Sequence, residues 1–203
     1  MTALERVTFR TRRLLDFCSG KELVAQTGHN KSDWPLVVLK ELMDNSLDAC
    51  EEARIAPDIN ITVDNTGITI QDNGPGIPHE TIKGILDYTV RVSSREAYMA
   101  PDRGAQGNAL KTIVALPFVL DGKEGKVIIS AQGWESIITF RVDQIHQEPR
   151  IDLDTHESSV KIGTRVQVLW PVSALLNFGT PRVPIFTNCP GLYLAQSSSE
   201  PNS

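Results

Sequence analysis

The chain has 203 residues and a net charge of -5, and 40% of its residues are hydrophobic. This is an ordinary globular composition, and the acidic balance argues against a broad basic face for gripping DNA, although a local basic patch and direct DNA contact stay open. Cys18, Cys50 and Cys189 are far apart, which argues against a metal or disulfide framework and suits a reducing cytoplasm. No apolar run reaches the roughly 20 residues that a bilayer span needs.

A long helix followed by a hairpin is predicted in the first half. Residues 32–35 combine a capping side chain with a proline in the first turn, and apolar residues at helical spacing continue from Leu36 to about Ala53. Isoleucines and a valine then alternate with polar residues on both sides of the turn sequence Asp64-Asn65-Thr66-Gly67. A loop over 72–78 and a short helix over 79–88 complete this half.

The second half predicts a long loop, one more helix and further strands. Residues 89–107 are polar and punctuated by glycine, and loops of this length are usually functional. A helix is predicted from Asn108 to Leu116, with strands over 127–131, 137–142 and 164–170. The irregular order of helices and strands predicts an α+β fold with a mostly antiparallel sheet covered on one face. Prolines and a serine-rich end predict a domain over 1–171 and a loosely structured tail over 172–203.

Candidate chemistry begins on the long helix. Glu41, Asn45 and Asp48 stand at positions i, i+4 and i+7 and therefore share a face. An amide oxygen is a suitable magnesium ligand, and a carboxylate can deprotonate a water molecule. A solvated polar stripe is the alternative explanation.

Two glycine-containing loops add to this pattern. Asp72 ends a predicted strand, and Gly74 and Gly76 would let the backbone approach a ligand closely, although such residues also mark ordinary turns. The segment 104–111, Gly-Ala-Gln-Gly-Asn-Ala-Leu-Lys, leads into a helix, whose free N–H groups favour phosphate. It lacks the spacing of a P-loop. Finally, Gly163 and Thr164 open a strand.

Together, these four segments in this order resemble the motifs of the GHKL ATPase superfamily, which includes gyrase B subunits, heat-shock chaperones, histidine kinases and MutL. The resemblance covers about residues 20 to 171. Residues 27–29 and 38–53 look most like the B subunit of topoisomerase VI, whereas residues 107–110 look more like MutL. The resemblance implies a Bergerat-type two-layer sandwich that binds ATP or ADP with Mg²⁺.

It also implies individual roles. Glu41 would be the general base for the attacking water, Asn45 the magnesium ligand and Asp72 the acceptor for the adenine amine, with Thr164 assisting through a water. The remaining implied ligands are Gly74, Gly76 and Ile77 at the adenine, and Gly104, Gln106, Gly107 and Asn108 in a lid over the phosphates. Asp48 is expected to hold the helix.

Two departures from the family pattern bear on activity. Ala109 stands where many members have a third glycine in the lid. Gyrase-like and MutL-like enzymes contact the terminal phosphate with a lysine from a transducer domain, but little sequence follows Pro171 here. Lys111, Arg103 or Arg95 could substitute, although each also fits a solvated charge. Slow or partner-dependent turnover is therefore expected.

Two functions stay open at this point. The first is an ATPase that acts as a switch: ATP orders residues 90–107, and the ordered surface recruits a second copy of the chain or a DNA-processing partner. The second is a scaffold subunit that binds ATP or ADP without hydrolysing it and needs a partner. A histidine kinase is not expected, because no phosphoacceptor helix surrounds any of the four histidines.

Overall fold

A computed structural model describes residues 18–86, 109–143, 145 and 148–171, together with the backbone of 192–195. It contains four α-helices and seven β-strands within these ranges: α1 (Gly20–Thr27), α2 (Trp34–Ala53), β1 (Ile59–Asp64), β2 (Gly67–Gln71), α3 (His79–Ile85), α4 (Ala109–Asp121), β3 (Gly125–Ala131), β4 (Trp134–Asp143), β5 (Glu148–Glu157), β6 (Thr164–Leu169) and β7 (Leu192–Ala195). None of the helices in the described ranges is both long and apolar enough to span a bilayer.

The strands form one sheet in the order β5-β4-β3-β6-β2-β1-β7. Neighbours from β5 to β1 pair antiparallel, and β7 adds a parallel strand beside β1. The predicted α+β class with a mixed, mostly antiparallel sheet is therefore confirmed. The predicted boundary at Pro171 stays a prediction, because most of 172–203 lies outside the described residues.

The core lies between the sheet and its helices. Alternate residues of the central strands are buried and join one cluster with residues of α2 and α4, as a period-two pattern with one covered face requires. Trp34 and Phe140 are its largest fully buried side chains. Each such side chain contributes about 1.5–3 kcal/mol to folding relative to an exposed one. This core fixes α2 against the end of β2, where the candidate residues lie.

The long helix differs from its prediction at the first turn. It begins at Trp34, after a short 3-10 turn over Lys31–Asp33, and the Asp33 side chain makes no capping hydrogen bond. Asp33 has helical backbone angles, whereas a capping residue needs an extended backbone to turn its oxygen toward the free N–H groups. The helix ends at Ala53, and the capping residue Arg54 has a φ of 56°, in the left-handed region.

Other predictions hold with shifted bounds, and three elements were missed. The hairpin turn is confirmed, since Asp64 pairs with Gly67 across a two-residue connection. Helix α4 runs to Asp121 through Pro117, because burial on nearly every side outweighs the hydrogen bond that a proline removes. Helix α1 and strands β5 and β7 were not predicted. The predicted helix over 79–88 is observed as α3, and residues 87 and 88 lie outside the described ranges.

Candidate functional site

Asp72 is a buried carboxylate at the end of β2, with 6% of its surface exposed. Its Oδ1 accepts hydrogen bonds from the backbone N–H of Gly74 at 2.9 Å and of Thr164 at 3.0 Å. Burial raises the pKa of this carboxyl, while the bonds from Gly74, Thr164 and the Ser46 hydroxyl oppose that rise. Since both backbone donors reach Oδ1, Oδ2 receives neither of them.

Gly163, just before β6, and Thr164, its first residue, hold this loop in place. The backbone N–H of Asp72 donates to the carbonyl of Thr164 at 3.0 Å, and that of Gly163 donates to the carbonyl of Gly74 at 3.0 Å. The Thr164 hydroxyl accepts from the backbone N–H of Ile77 at 3.2 Å. The structure thus brings Asp72, Gly74, Ile77 and Thr164 together, and Asp72 and Thr164 are separated by 92 residues in sequence.

The glycines of this region have little or no room for a side chain. Gly163 has a φ of +76°, and a Cβ there would overlap the carbonyl oxygen of Asp72. Gly76 has a φ of +80°, and its Cβ would lie 3.0 Å from the carbonyl oxygen of Gly163. A Cβ on Gly74 would lie 3.1 Å from Oδ1 of Asp72. Only glycine therefore allows the two backbone segments to approach this closely.

Helix α2 faces the same loop. The Ser46 hydroxyl bonds to the Asp72 carboxyl, and the Ala49 Cβ lies 3.4 Å from the place a Cβ of Gly74 would occupy. Glu41 and Asn45 are half-buried and stand about 40° apart around the helix axis and about 6 Å apart along it. Their partial burial places them at the border of the helix face that packs on the sheet, and Asn45 directly precedes Ser46 in the sequence.

Glu41 is only weakly engaged by its neighbours. Lys40 Nζ lies 3.7 Å from Glu41 Oε1 but 2.8 Å from Asp44 Oδ2. The hydrogen bond to Asp44 is the largest cause of the raised pKa of Lys40. Glu41 has 29% of its side chain exposed. Its carboxylate is therefore accessible to a water molecule, while the lysine is held mainly by Asp44.

Asn73 is a residue of the site that the sequence did not single out. Its Oδ1 accepts from the backbone N–H of Asp58 at 2.9 Å and from Cys50 Sγ at 3.4 Å, and its Nδ2 donates to the carbonyl of Ala56 at 3.0 Å. It ties the Asp72 loop to the end of α2 and to the segment before β1. The only signal was the Asn-Gly pair, which indicates a turn in any protein.

The predicted phosphate end lies outside the described residues. This applies to Gly104, Gln106, Gly107 and Asn108, and to Arg95 and Arg103. Their predicted roles stay predictions. Lys111, which is described, is only 3% exposed and takes part in an interaction within the protein, so it is a buried side chain and not the solvated one that was the simpler expectation.

The sequence also matches a known family. The pattern of the "Histidine kinase-, DNA gyrase B-, and HSP90-like ATPase" family matches residues 30–174. This match spans more than half of the 203 residues and includes α2, the Asp72 loop and β6. The chain belongs to this family of ATPases.

Within the family, the chain is similar to the B subunit of type 2 DNA topoisomerase 6. It is 34% identical to the Natronomonas pharaonis subunit over 143 residues, which are 66% of this chain and 17% of that protein. It is 39% identical to the Archaeoglobus fulgidus subunit over 97 residues, which are 46% of this chain and 16% of that protein. The chain thus spans about a sixth of the length of these relatives. The predicted resemblance to the topoisomerase VI B branch is confirmed.

Two solved structures resemble the chain more distantly, each at 21% identity. One is the N-terminal domain of a DNA repair protein, with a TM-score of 0.39 over 69% of this chain and 36% of that one. The other is the 43K ATPase domain of Thermus thermophilus gyrase B in complex with an aminocoumarin, with a TM-score of 0.37 over 70% of this chain and 34% of that one.

Proposed function

We propose that this chain binds ATP with Mg²⁺ where the Asp72 loop meets α2, and hydrolyses it slowly with Glu41 as the base. The observation that carries the proposal is the environment of Asp72. A carboxylate that is 6% exposed is costly to keep charged, yet here it is braced by two backbone N–H groups that both reach one oxygen. Such a group is held ready to accept a hydrogen bond from a ligand.

The chemistry at Asp72 suits adenine. The exocyclic amine of adenine is a hydrogen-bond donor, and a carboxylate oxygen is an acceptor only. A bond to a charged acceptor is about twice as strong as one between neutral groups. Ile77 is half-buried in the same loop and would pack on the base. Thr164 keeps a hydroxyl proton, because its oxygen accepts from Ile77, and this proton is available to a water beside the base.

The residues on α2 suit magnesium and a water nucleophile. Magnesium in nucleotide sites takes one or two protein ligands and fills the other positions with phosphate oxygens and water. The half-buried amide of Asn45 has no hydrogen-bond partner among the described residues. Among the residues that the structure describes, no group of three or more His, Cys, Asp or Glu side chains is placed to hold a metal. The Asn45 amide therefore fits a Mg²⁺ ion that a triphosphate also coordinates, and the ion would neutralise charge on that triphosphate.

Glu41 would act on the water that attacks the terminal phosphate. It stands one turn before Asn45, so a base and a metal ligand would face the same phosphate group from one helix. Its partial exposure leaves a water within reach, and general-base assistance contributes typically about 10²- to 10⁴-fold in rate. Gly104, Gln106, Gly107 and Asn108 complete the proposal as phosphate ligands.

Hydrolysis under single-turnover conditions tests the catalytic part. We expect Glu41→Gln to lose at least about 100-fold in rate while its affinity for ATP stays within about threefold of wild type. Glu51→Gln is the matched control, since Glu51 is an exposed carboxylate on another face of the same helix. Equal rates for wild type and Glu41→Gln would remove the base assignment. Binding without any wild-type hydrolysis would favour the non-catalytic scaffold.

The similarity to topoisomerase subunits suggests a second role for the bound nucleotide, as a switch that controls association. The relatives named above are subunits of a DNA topoisomerase, and on this basis we propose that bound nucleotide promotes pairing with a second copy or with a DNA-processing protein. Light scattering with a non-hydrolysable ATP analogue and Mg²⁺ should show a doubled mass, and Asp72→Asn should stay monomeric. An unchanged mass at saturating analogue would rule out the homodimer.

A further inference from the structure

The turn between β3 and β4 lies against both backbone segments that hold Asp72. Ala131 pairs with Trp134 across this turn, which leaves Gln132 and Gly133 as its two central residues. Gln132 Nε2 donates to the carbonyls of Pro75 and Gly76, each at 3.3 Å. Its contact with Gly76 is close, since a Cβ on that glycine would lie 3.0 Å from Gln132 Cγ.

The same turn also holds the segment before β6. The backbone N–H of Gly133 donates to the carbonyl of Val160 at 2.7 Å, and the Gly133 carbonyl accepts from Ser158 at 2.8 Å. Residues 158–163 lead directly to Gly163 and Thr164, which bond to the Asp72 loop. The turn therefore contacts both segments. The Gln132 side chain bonds to the Asp72 loop, and the Gly133 backbone bonds to the segment before β6.

The backbone angles of the turn are unfavourable for a glutamine, so Gln132 destabilises the turn relative to a residue that prefers this conformation. Gln132 has a φ of 52° and Gly133 a φ of 84°, as a two-residue hairpin with both central residues in the left-handed region requires. Asparagine and glycine occupy the first of these positions most easily, and glutamine does not share that preference. Asparagine, however, is one methylene shorter and would not reach the carbonyls of Pro75 and Gly76.

We propose that Gln132 is a positioning residue for the nucleotide, which holds the Gly74–Gly76 backbone in the place that the adenine requires. This inference rests on the proposed binding of adenine at Asp72. Gln132 itself does not touch the base. It fixes the carbonyls that follow Asp72, so that Asp72, Ile77 and Thr164 keep one geometry before the ligand arrives, and binding then loses less entropy to ordering the loop.

A pair of variants separates positioning from simple structural support. Gln132→Asn relieves the backbone, so its thermal midpoint should equal or exceed that of wild type, yet its affinity for ATP should fall by about three- to tenfold, the worth of one or two neutral hydrogen bonds. Gln132→Glu keeps the length and shape but cannot donate to a carbonyl, and should show the same loss of affinity. In both variants KM should rise while kcat stays within about twofold.

The measurement is calorimetric titration with a non-hydrolysable ATP analogue and Mg²⁺ on the whole chain, alongside thermal denaturation and steady-state hydrolysis. Asp72→Asn is measured in parallel. If both Gln132 variants bind as tightly as wild type while Asp72→Asn is weakened, the positioning role is wrong and the proposed function survives. If Asp72→Asn binds like wild type, the adenine assignment fails and the inference fails with it. A loss of affinity in Gln132→Asn that only accompanies a lowered thermal midpoint would make Gln132 a structural residue.

Discussion

Replacing Asp72 by asparagine changes one oxygen of a buried carboxyl group into an amide nitrogen and leaves its shape intact. The remaining oxygen can still accept from the backbone N–H groups of Gly74 and Thr164, which now bond to Oδ1. The amide nitrogen then occupies the second position, where it presents a donor to the adenine amine. We therefore expect the fold to persist while recognition of adenine is lost.

The size of the loss follows from the bond that disappears. A hydrogen bond to a charged group contributes about 1.5–3 kcal/mol, which corresponds to about a 10- to 150-fold weaker affinity. Isothermal titration with an ATP analogue and Mg²⁺ measures it. Titration with a GTP analogue is the matched control, because an asparagine amide can donate to the carbonyl of guanine, so the preference for ATP over GTP should narrow. An affinity for ATP within about threefold of wild type would refute the role of Asp72.

Replacing Asp72 by alanine separates its contribution to the stability of the fold from its contribution to nucleotide binding. Asp72→Ala leaves two buried N–H groups, those of Gly74 and Thr164, without the acceptor they now share. An unsatisfied buried donor costs about 1–3 kcal/mol, so chemical denaturation should show a loss of about 2–6 kcal/mol. Asp72→Asn should show none of it. Equal stability of the two variants would mean that these bonds contribute little.

The charge of Asp72 adds a dependence on pH. Its pKa is raised by burial in the folded state, so the native chain holds this proton more tightly than the unfolded chain does. The free energy of unfolding therefore falls as pH rises from the ordinary aspartate pKa of about 3.9 through the raised folded value. Asp72→Asn lacks this term, so its stability relative to wild type should increase across the same window. A difference that does not change as pH rises above about 3.9 would contradict the cause given for the shift.

Two further predictions concern the metal and the glycines. Asn45→Ala should abolish the gain in ATP affinity that Mg²⁺ provides and leave stability within about 0.5 kcal/mol, because its amide bonds to none of the described residues; titrations with and without Mg²⁺ decide this, and a surviving gain would exclude Asn45 as the ligand. Gly163→Ala should destabilise the fold by more than about 1–3 kcal/mol, because its Cβ would overlap the Asp72 carbonyl. Gly84→Ala is the control, since a Cβ there meets no heavy atom of the described residues within 4 Å and should stabilise α3 by up to about 1 kcal/mol.

The sequence alone located α2, the β1–β2 hairpin and the strand that begins at Thr164, because each depends on a local period or turn. Helical spacing of apolar residues defines a buried face wherever the helix packs, and Asp64 to Gly67 close a turn through neighbouring bonds. The order of the candidate motifs was also visible, and with it the family. Strand β5 was missed because it is an edge strand with charges on its exposed residues, a pattern that a loop shares.

Only the tertiary structure decided what touches Asp72 and what holds its loop. The pairing of β2 with β6 brings Thr164 to Asp72, and the pairing of β3 with β6 brings Gln132 to Gly76. Neither contact leaves a local trace, because the register of two distant strands depends on the burial of all their residues together. A glutamine in a turn and a glycine before a strand are common in any sequence, so neither indicates a site before the strand pairing is known. The sequence therefore determined which groups could act on a nucleotide, and the register of the sheet determined which residues position them.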